Sequence, residues 1–229
     1  MERLHMAELL ANRDRRTTLA KFSNFLESWM HRKVAADGQA NHEGPILEIG
    51  GGTLNHPRFE PEGAPYDVIE PLSELFSGRP EMARIRNLFE DIREIDPQTT
   101  YDRIISIATL EHLTDLPLVT AKSAFLLAED GIFQAGIPSE GGLLWGLSWR
   151  LSTAIMFRIK TGLDWSEHMR YEHVNDAGEI IEIIRYFFDE IHVERFPTPF
   201  HQFSLYGYIS ARKPNLKRAE HFIALRDGS

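Results

Sequence analysis

Hydrophobic positions first recur at helical spacing from Leu4 to Val34, carried by Leu9, Leu10, Leu19, Phe22, Phe25, Leu26, Trp29 and Met30, with Arg13 to Arg16 as a polar interruption. One long or two short helices are predicted there. Ala36 to Gly44 is polar and Gly-bearing, which is loop chemistry, and Pro45 opens a new unit. Four short runs of β-branched and apolar residues follow: Ile46–Ile49, Tyr66–Ile69, Arg103–Ile107 and Gly131–Ile137. Ala83–Phe89 is a further strand candidate, and Leu116–Leu127 has helical spacing. Strands alternating with helices predict a parallel sheet with right-handed crossovers. Beyond Pro138 the period changes. Glu140–Thr161 reads as a Trp-rich helix and Leu163–Asn175 as a polar, His-bearing connection, together an insertion or cap. Ala177–Phe188 then reads as a helix, and Glu190–Phe196 and Phe203–Ala211 as an antiparallel strand pair. The expected organisation is an N-terminal helical segment over 1–44, an α/β domain over 45–213 with a cap over 139–176, and a charged, peripheral tail over 214–229.

Composition narrows the function. A chain of 229 residues, 42% hydrophobic and 26% charged, can bury one full core. Its net charge of −9 repels a phosphate backbone, so nucleic acid is not the expected partner. The absence of cysteine removes disulfides, thiolate metal sites and Cys nucleophiles together. The first residues lack the apolar core of a signal peptide, and no uncharged apolar run reaches the roughly 18 residues of a membrane span, which leads to a cytoplasmic expectation. Gly141 to Ile159 is the most apolar stretch, but Arg150 and Arg158 interrupt it, so it could lie on a membrane and could hardly span one.

The most informative segment is Ile46-Leu-Glu-Ile-Gly-Gly-Gly52, an apolar strand carrying a carboxylate and running into three successive glycines. Such a turn lets bare backbone approach a ligand. Glu70 ends the next strand, where an acidic side chain can accept hydrogen bonds from two ribose hydroxyls. A nicotinamide-type G-x-G-x-x-G reading fails, because counting from Gly50 and Gly52 reaches Asn55 instead of a third glycine. Thr53 to Pro65 contains Pro57, Pro61, Gly63 and Pro65, so no long phosphate-binding helix fits behind the turn.

These residues resemble the class I S-adenosylmethionine-dependent methyltransferases, whose first motif is an acidic residue, any residue, then a glycine-rich turn. Here that motif is Glu48-Ile-Gly-Gly-Gly52, and Tyr101 to His112 matches the family's fourth-strand motif. The resemblance covers Pro45 to Pro138 and implies a Rossmann-like doubly wound sheet with an antiparallel last strand. It also implies that S-adenosylmethionine, or its product S-adenosylhomocysteine, is held by Glu48, Gly50, Gly51, Gly52, Glu70, Asp91, Ile107 and Ala108. Asp91 would meet the adenine, although Glu90-Asp91 could equally cap the turn that follows. The sequence departs from the family at Leu54, where many members have glycine, and in its prolyl loop, which replaces the first helix.

Methyl transfer from a sulfonium is an in-line displacement, so positioning contributes most of the barrier reduction. A hydroxyl acceptor would be helped by a base near neutral pKa. His112, at the carboxyl end of the fourth strand, and His173, in the insertion, are the leading candidates, and His168 beside the latter could equally be a base or an acceptor ligand; packing is the competing role for each. His168 and His173 lie five apart beside Glu167 and Glu172, a spacing that is not a recognised zinc pairing, and no metal is expected. The apolar helix around Trp145 and Trp149 could be core, a lid stacking on a sugar or aromatic ring, or a peripheral membrane contact through 143–158.

The expected function is therefore methyl transfer to a small molecule or glycan, with oxygen preferred over nitrogen. Ser106-Ile-Ala-Thr109 stands where nucleic-acid amino methyltransferases would carry an Asn/Asp-Pro-Pro motif, which disfavours base methylation. The alternative is a cofactor-binding partner or regulatory module of the same fold without turnover, and a nicotinamide oxidoreductase ranks last. The amphipathic first residues could serve a homodimer contact.

Overall fold

A computed structural model describes residues 18–39, 44–149 and 173–227. Its seven strands are β1 (Ile46–Ile49), β2 (Tyr66–Ile69), β3 (Ile85–Phe89), β4 (Tyr101–Ile107), β5 (Leu127–Pro138), β6 (Phe188–Phe196) and β7 (Tyr206–Pro214). They form one sheet in the order β3-β2-β1-β4-β5-β7-β6. β1 to β5 pair in parallel, whereas β7 runs antiparallel to both β5 and β6. The Ala83–Phe89 candidate is thus a true strand, and β7 begins at Tyr206 because Phe203 belongs to a preceding 3-10 turn. Strand order reverses between β1 and β4, and open α/β sheets bind ligands in the crevice beyond the strand ends at such a point.

The helices are α1 (Thr18–Gln39), α2 (Leu116–Leu126), α3 (Leu143–Trp149), α4 (Ala177–Phe187) and α5 (Leu216–Asp227). Alternation along β1 separates two cores. Leu47 and Ile49 pack on the face that also takes α2, α4 and Ala219 of α5, while Ile46 joins Val68, Ile105, Ile107 and the α1 residues Met30 and Val34 on the other. α4 starts at a capping box, in which Asp176 accepts from the backbone of Gly178 and Glu179 and Glu179 accepts from the Asp176 backbone.

One expectation is corrected. Of the residues read as a charged peripheral tail, Leu216–Asp227 form α5, whose Ala219 is fully buried with Phe222 and Ile223 packed against the core. Three apolar positions at helical spacing suffice to dock it, although charged neighbours dominate the local composition. The N-terminal pattern before residue 18 lies outside the described residues, as do 150–172, which include Arg150, Arg158, His168 and most of the Trp-rich insertion. Of the stretch expected to meet a membrane, α3 is described, and it leaves Leu143 and Leu147 exposed. No helix among the described residues is long and apolar enough to cross a membrane.

The prolyl loop between β1 and β2 holds only a 3-10 turn, Pro57–Phe59, and α1 lies against that turn and against β4, β5 and β7. A buried polar chain fastens loop, helix and sheet together. Arg103 of β4 donates to both Glu60 oxygens at 2.5 and 3.0 Å, to Gln134 Oε1 at 3.0 Å and to the Val34 carbonyl of α1 at 3.2 Å. Glu60 also accepts from His56 Nε2 at 2.7 Å, and His56 Nδ1 lies 3.1 Å from Nδ1 of His31 on α1. With His56 Nε2 donating to Glu60, its Nδ1 is an acceptor and His31 supplies the proton between the rings.

Candidate active site

The glycine turn closes β1 onto its neighbours. Gly50 N donates to the Ile69 carbonyl at 2.9 Å, while Ser106 Oγ and Thr109 Oγ1 of the β4 end donate to the carbonyls of Ile49 and Gly50 at 3.1 and 3.3 Å. Gly50 has φ +78, and a Cβ placed there would meet the Thr109 side chain at 2.2 Å. Gly51 is close-packed as well, with Val68 Cγ1 2.6 Å from the same hypothetical atom. Gly52 differs: at φ +52 its Cβ would enter open space. Its N–H donates to Glu70 Oε2 at 2.8 Å, and Leu72 N donates to Oε1 at 2.9 Å. The turn and the expected ribose acid are therefore in direct contact, beside a flank that only a missing side chain leaves open.

Leu54 explains its own departure from the family pattern. It adopts φ +53, the left-handed conformation that glycine takes cheaply, and its side chain is fully buried with Val68 and Phe76. Apolar burial offsets a backbone cost of about 1–2 kcal/mol. Ala108 takes φ +51 at the exposed end of β4, its N–H held by the Gly136 carbonyl at 2.8 Å, and Ile107 before it is buried. Both stand at the carboxyl end of β4, which pairs with β1 at the strand-order reversal. Asp91 caps the 3-10 turn after β3, its Oδ1 accepting from Arg93 N at 2.8 Å and Arg93 Nε at 2.9 Å, which is the capping alternative raised above. Glu48 is turned under the sheet, where Oε2 accepts from Tyr66 Oη at 2.9 Å. Burial pushes its carboxyl up to about 8, with the Tyr66 hydrogen bond opposing that rise.

The two candidate histidines, separated by the whole insertion, are brought together. The His112 and His173 rings meet edge to face with centroids 4.5 Å apart. His173 Nδ1 is hydrogen-bonded to Glu140 Oε1, and Trp145 of α3 stands 6.4 Å from the His173 ring. Val174 N and Asn175 N donate to the Glu111 carbonyl at 2.8 and 3.2 Å, and Asn175 Nδ2 spans the carbonyls of Leu110 and Leu113. These bonds fasten the end of the insertion to the β4 loop. Glu140 was not singled out from the sequence, since its only signal is a carboxylate directly after the fifth strand. Among the described residues, no group of three or more His, Cys, Asp and Glu could hold a metal ion.

Buried groups of opposite kind set the stability profile. Burial pushes His31 down to about 3 and lowers His56, so unfolding takes up protons at both below the ordinary 6.5. Burial pushes Glu48 up to about 8 and Glu111 to about 7, so unfolding releases protons from both above the ordinary 4.5. Between 4.5 and 6.5 the two effects oppose each other, and stability should be flat. Above that window only the glutamate effect persists, and stability falls as pH rises through about 7 and 8. Below it the histidine effect persists, joined by Glu60: burial raises this carboxyl, but hydrogen bonds from His56 and Arg103 outweigh burial and hold it at about 2. Urea midpoints measured across the range should show this plateau with a fall on each side; a steady rise through neutral pH would contradict it.

No protein-family model matches the chain, and no curated protein sequence matches it. Solved structures do. The N-methyltransferase NodS from Bradyrhizobium japonicum WM9, in complex with S-adenosyl-L-homocysteine, superposes with a TM-score of 0.59 at 16% identity, over 92% of this chain and 98% of that one. An S-adenosylmethionine-dependent methyltransferase from Clostridium acetobutylicum ATCC 824 gives 0.53 at 11% identity, over 93% and 98%. The phosphoethanolamine N-methyltransferase 2 of Haemonchus contortus, with S-adenosyl-L-methionine, gives 0.55 at 13% identity, over 89% and 59%. The chain has the class I methyltransferase fold. Within the methyltransferase fold, the glycine turn, Glu70 and the paired histidines all lie at the carboxyl ends of β1, β2 and β4 or on the segments that close over them.

Proposed function

We propose that the protein is an S-adenosylmethionine-dependent methyltransferase acting on a hydroxyl of a small molecule or glycan. The observation that carries this reading is the open flank of Gly52 beside Glu70, at the strand-order reversal, with two imidazoles at the adjoining strand end. Glu70 would hold the ribose, Gly50 to Gly52 would admit the amino acid part, and Asp91, Ile107 and Ala108 would line the adenine. When bound, the cofactor supplies a methyl group on a sulfonium, and transfer forms the bond to the acceptor as the carbon–sulfur bond breaks and its electron pair stays on sulfur. The chain's own task is to bring the acceptor into line and to take its proton.

Calorimetry with S-adenosylmethionine, S-adenosylhomocysteine and NAD in parallel tests the reading before any acceptor is known. Binding of the first two alone supports it, after which sugar and small-molecule hydroxyls are screened; binding of neither overturns it. For an acceptor so found, His112→Ala should lower the rate at least about a hundredfold if His112 is a general base. An unchanged rate would assign His112 to packing, and cofactor binding without any turnover would favour the regulatory-module alternative.

A further inference from the structure

The surroundings of the two histidines hold more than a base. Three chain segments converge there: the turn after β4 carries Glu111 and His112, the turn after β5 carries Glu140, and the end of the insertion carries His173. The order of contacts is continuous. Glu140 Oε1 meets His173 Nδ1, the His173 ring meets the His112 ring, and His112 Nε2 lies 4.0 Å from Glu111 Oε1. Exposure along this chain is uneven: the His112 side chain is 39% exposed, His173 16%, Glu140 10% and Glu111 3%. His112 is thus the most exposed of the four, and the two carboxyls are the least exposed.

Glu111 is the unusual member. Among the described residues its Oε2 is buried without a hydrogen-bond partner, a condition that costs free energy and calls for an explanation. Burial pushes this carboxyl up to about 7, with the charge of Glu140 raising it further and that of His173 opposing. A carboxyl needed only for packing would be better replaced by an apolar residue or an amide.

Resting on the methyltransferase reading, we propose that Glu140, His173, His112 and Glu111 form one proton-accepting unit. In this unit His112 takes the proton that a neutral hydroxyl acceptor releases on methylation, and Glu140 and Glu111 are positioning residues. The acceptor's O–H bond breaks, its electron pair stays on oxygen for the new bond to carbon, and the proton passes to an imidazole nitrogen. Glu140 holds the proton of His173 on Nδ1, which presents Nε2 as an acceptor. A positive charge arising on either ring faces a carboxyl on each side, Glu140 by His173 and Glu111 by His112. Among the described residues these four, with Trp145 beside His173, are the groups that face one another here. The unit suits an acceptor that must lose a proton, an alcohol or phenol, and is superfluous for a carboxylate or tertiary amine, which has none to give.

The test reads the unit itself, on the full chain labelled with 15N-histidine, with S-adenosylhomocysteine calorimetry on every variant. In the wild type the neutral His173 should carry its proton on Nδ1, and the His112 and His173 titrations should be mutually dependent. Glu140→Gln should lower the titration of His173 by at least about one pH unit and displace that of His112 too; Glu140→Asp should restore both. Glu111→Gln should remove an inflection near neutral pH from the His112 curve. An Nε2–H tautomer in His173, or a His112 curve indifferent to both variants, overturns the unit and leaves two separate structural contacts. Failure of the wild type to bind S-adenosylhomocysteine would instead overturn the methyltransferase reading, whatever the titrations show.

Discussion

Gly50→Val should abolish binding of S-adenosylhomocysteine while leaving a folded protein. The new Cβ would sit 2.2 Å from Thr109 Cγ2 and Oγ1, and a β-branched residue at φ +78 is a backbone outlier, so the turn must move. The clash is with one side chain at the end of β4, outside the two cores, which is why the sheet should survive. Gly52→Ala separates geometry from occupancy. Its Cβ meets nothing within 4 Å, and its cost to the empty protein is the left-handed φ alone, about 1–2 kcal/mol. A ligand lying against that backbone would meet the methyl directly, and binding should weaken at least about tenfold, or about 1.4 kcal/mol. Calorimetric affinity and a thermal melt on both variants check this. Retained binding in Gly50→Val would remove the turn from the site, and unchanged affinity in a folded Gly52→Ala would place the ligand elsewhere.

The parts of the fold legible in the sequence are those set by short-range pattern. β1 and β2 were readable to the residue because each is a four-residue run with three hydrophobic positions between turn-forming segments. The glycine turn and Glu70 could be singled out as a candidate site because glycine and a strand-end carboxylate each have few reasons to stand where they do, and the two are in contact. What sequence could not give was long-range. Nothing near His173 identifies Glu140 as its partner or His112 as its neighbour; that meeting depends on Asn175 and Val174 binding back to the β4 loop. Glu48 shows the converse. Its place in the motif suggests a ligand contact, whereas its partner Tyr66, on the α1 face to which strand alternation turns it, shows only in the folded sheet.

α5 and the polar layer under α1 were hidden for related reasons. Ala219, Phe222 and Ile223 are sparse among charges, and a window average conceals a docking stripe only three residues wide. Arg103 stands first in the strand run Arg103–Ile107, and no neighbour in the sequence identifies a partner for its charge. It is 1% exposed because Glu60, Gln134 and the Val34 carbonyl together satisfy its guanidinium, and those partners come from three separate segments. The missing first helix makes room for this arrangement, since the short loop carries His56 and Glu60 under the sheet where α1 closes over them.

Arg103→Met should therefore be the most damaging single change to stability. It removes the guanidinium from Glu60, whose side chain is wholly buried, and leaves the carboxylate with His56 as its remaining partner. Losing one member of a buried ion pair costs about 3–5 kcal/mol, a large part of the roughly 5–15 kcal/mol that holds a domain together. At about 2–4 °C per kcal/mol for a chain of this size, the melting temperature should drop by on the order of 10 °C. The Val34 carbonyl also loses its Arg103 donor, so α1 should loosen and amides of Val34 and its neighbours should exchange faster. Adding Glu60→Gln to Arg103→Met should recover part of the loss, because the uncompensated charge disappears, and the non-additivity measures the pair directly. A single variant that melts within about 2 °C of wild type would mean that the pair contributes little and that apolar packing by Met30 and Val34 holds α1 in place.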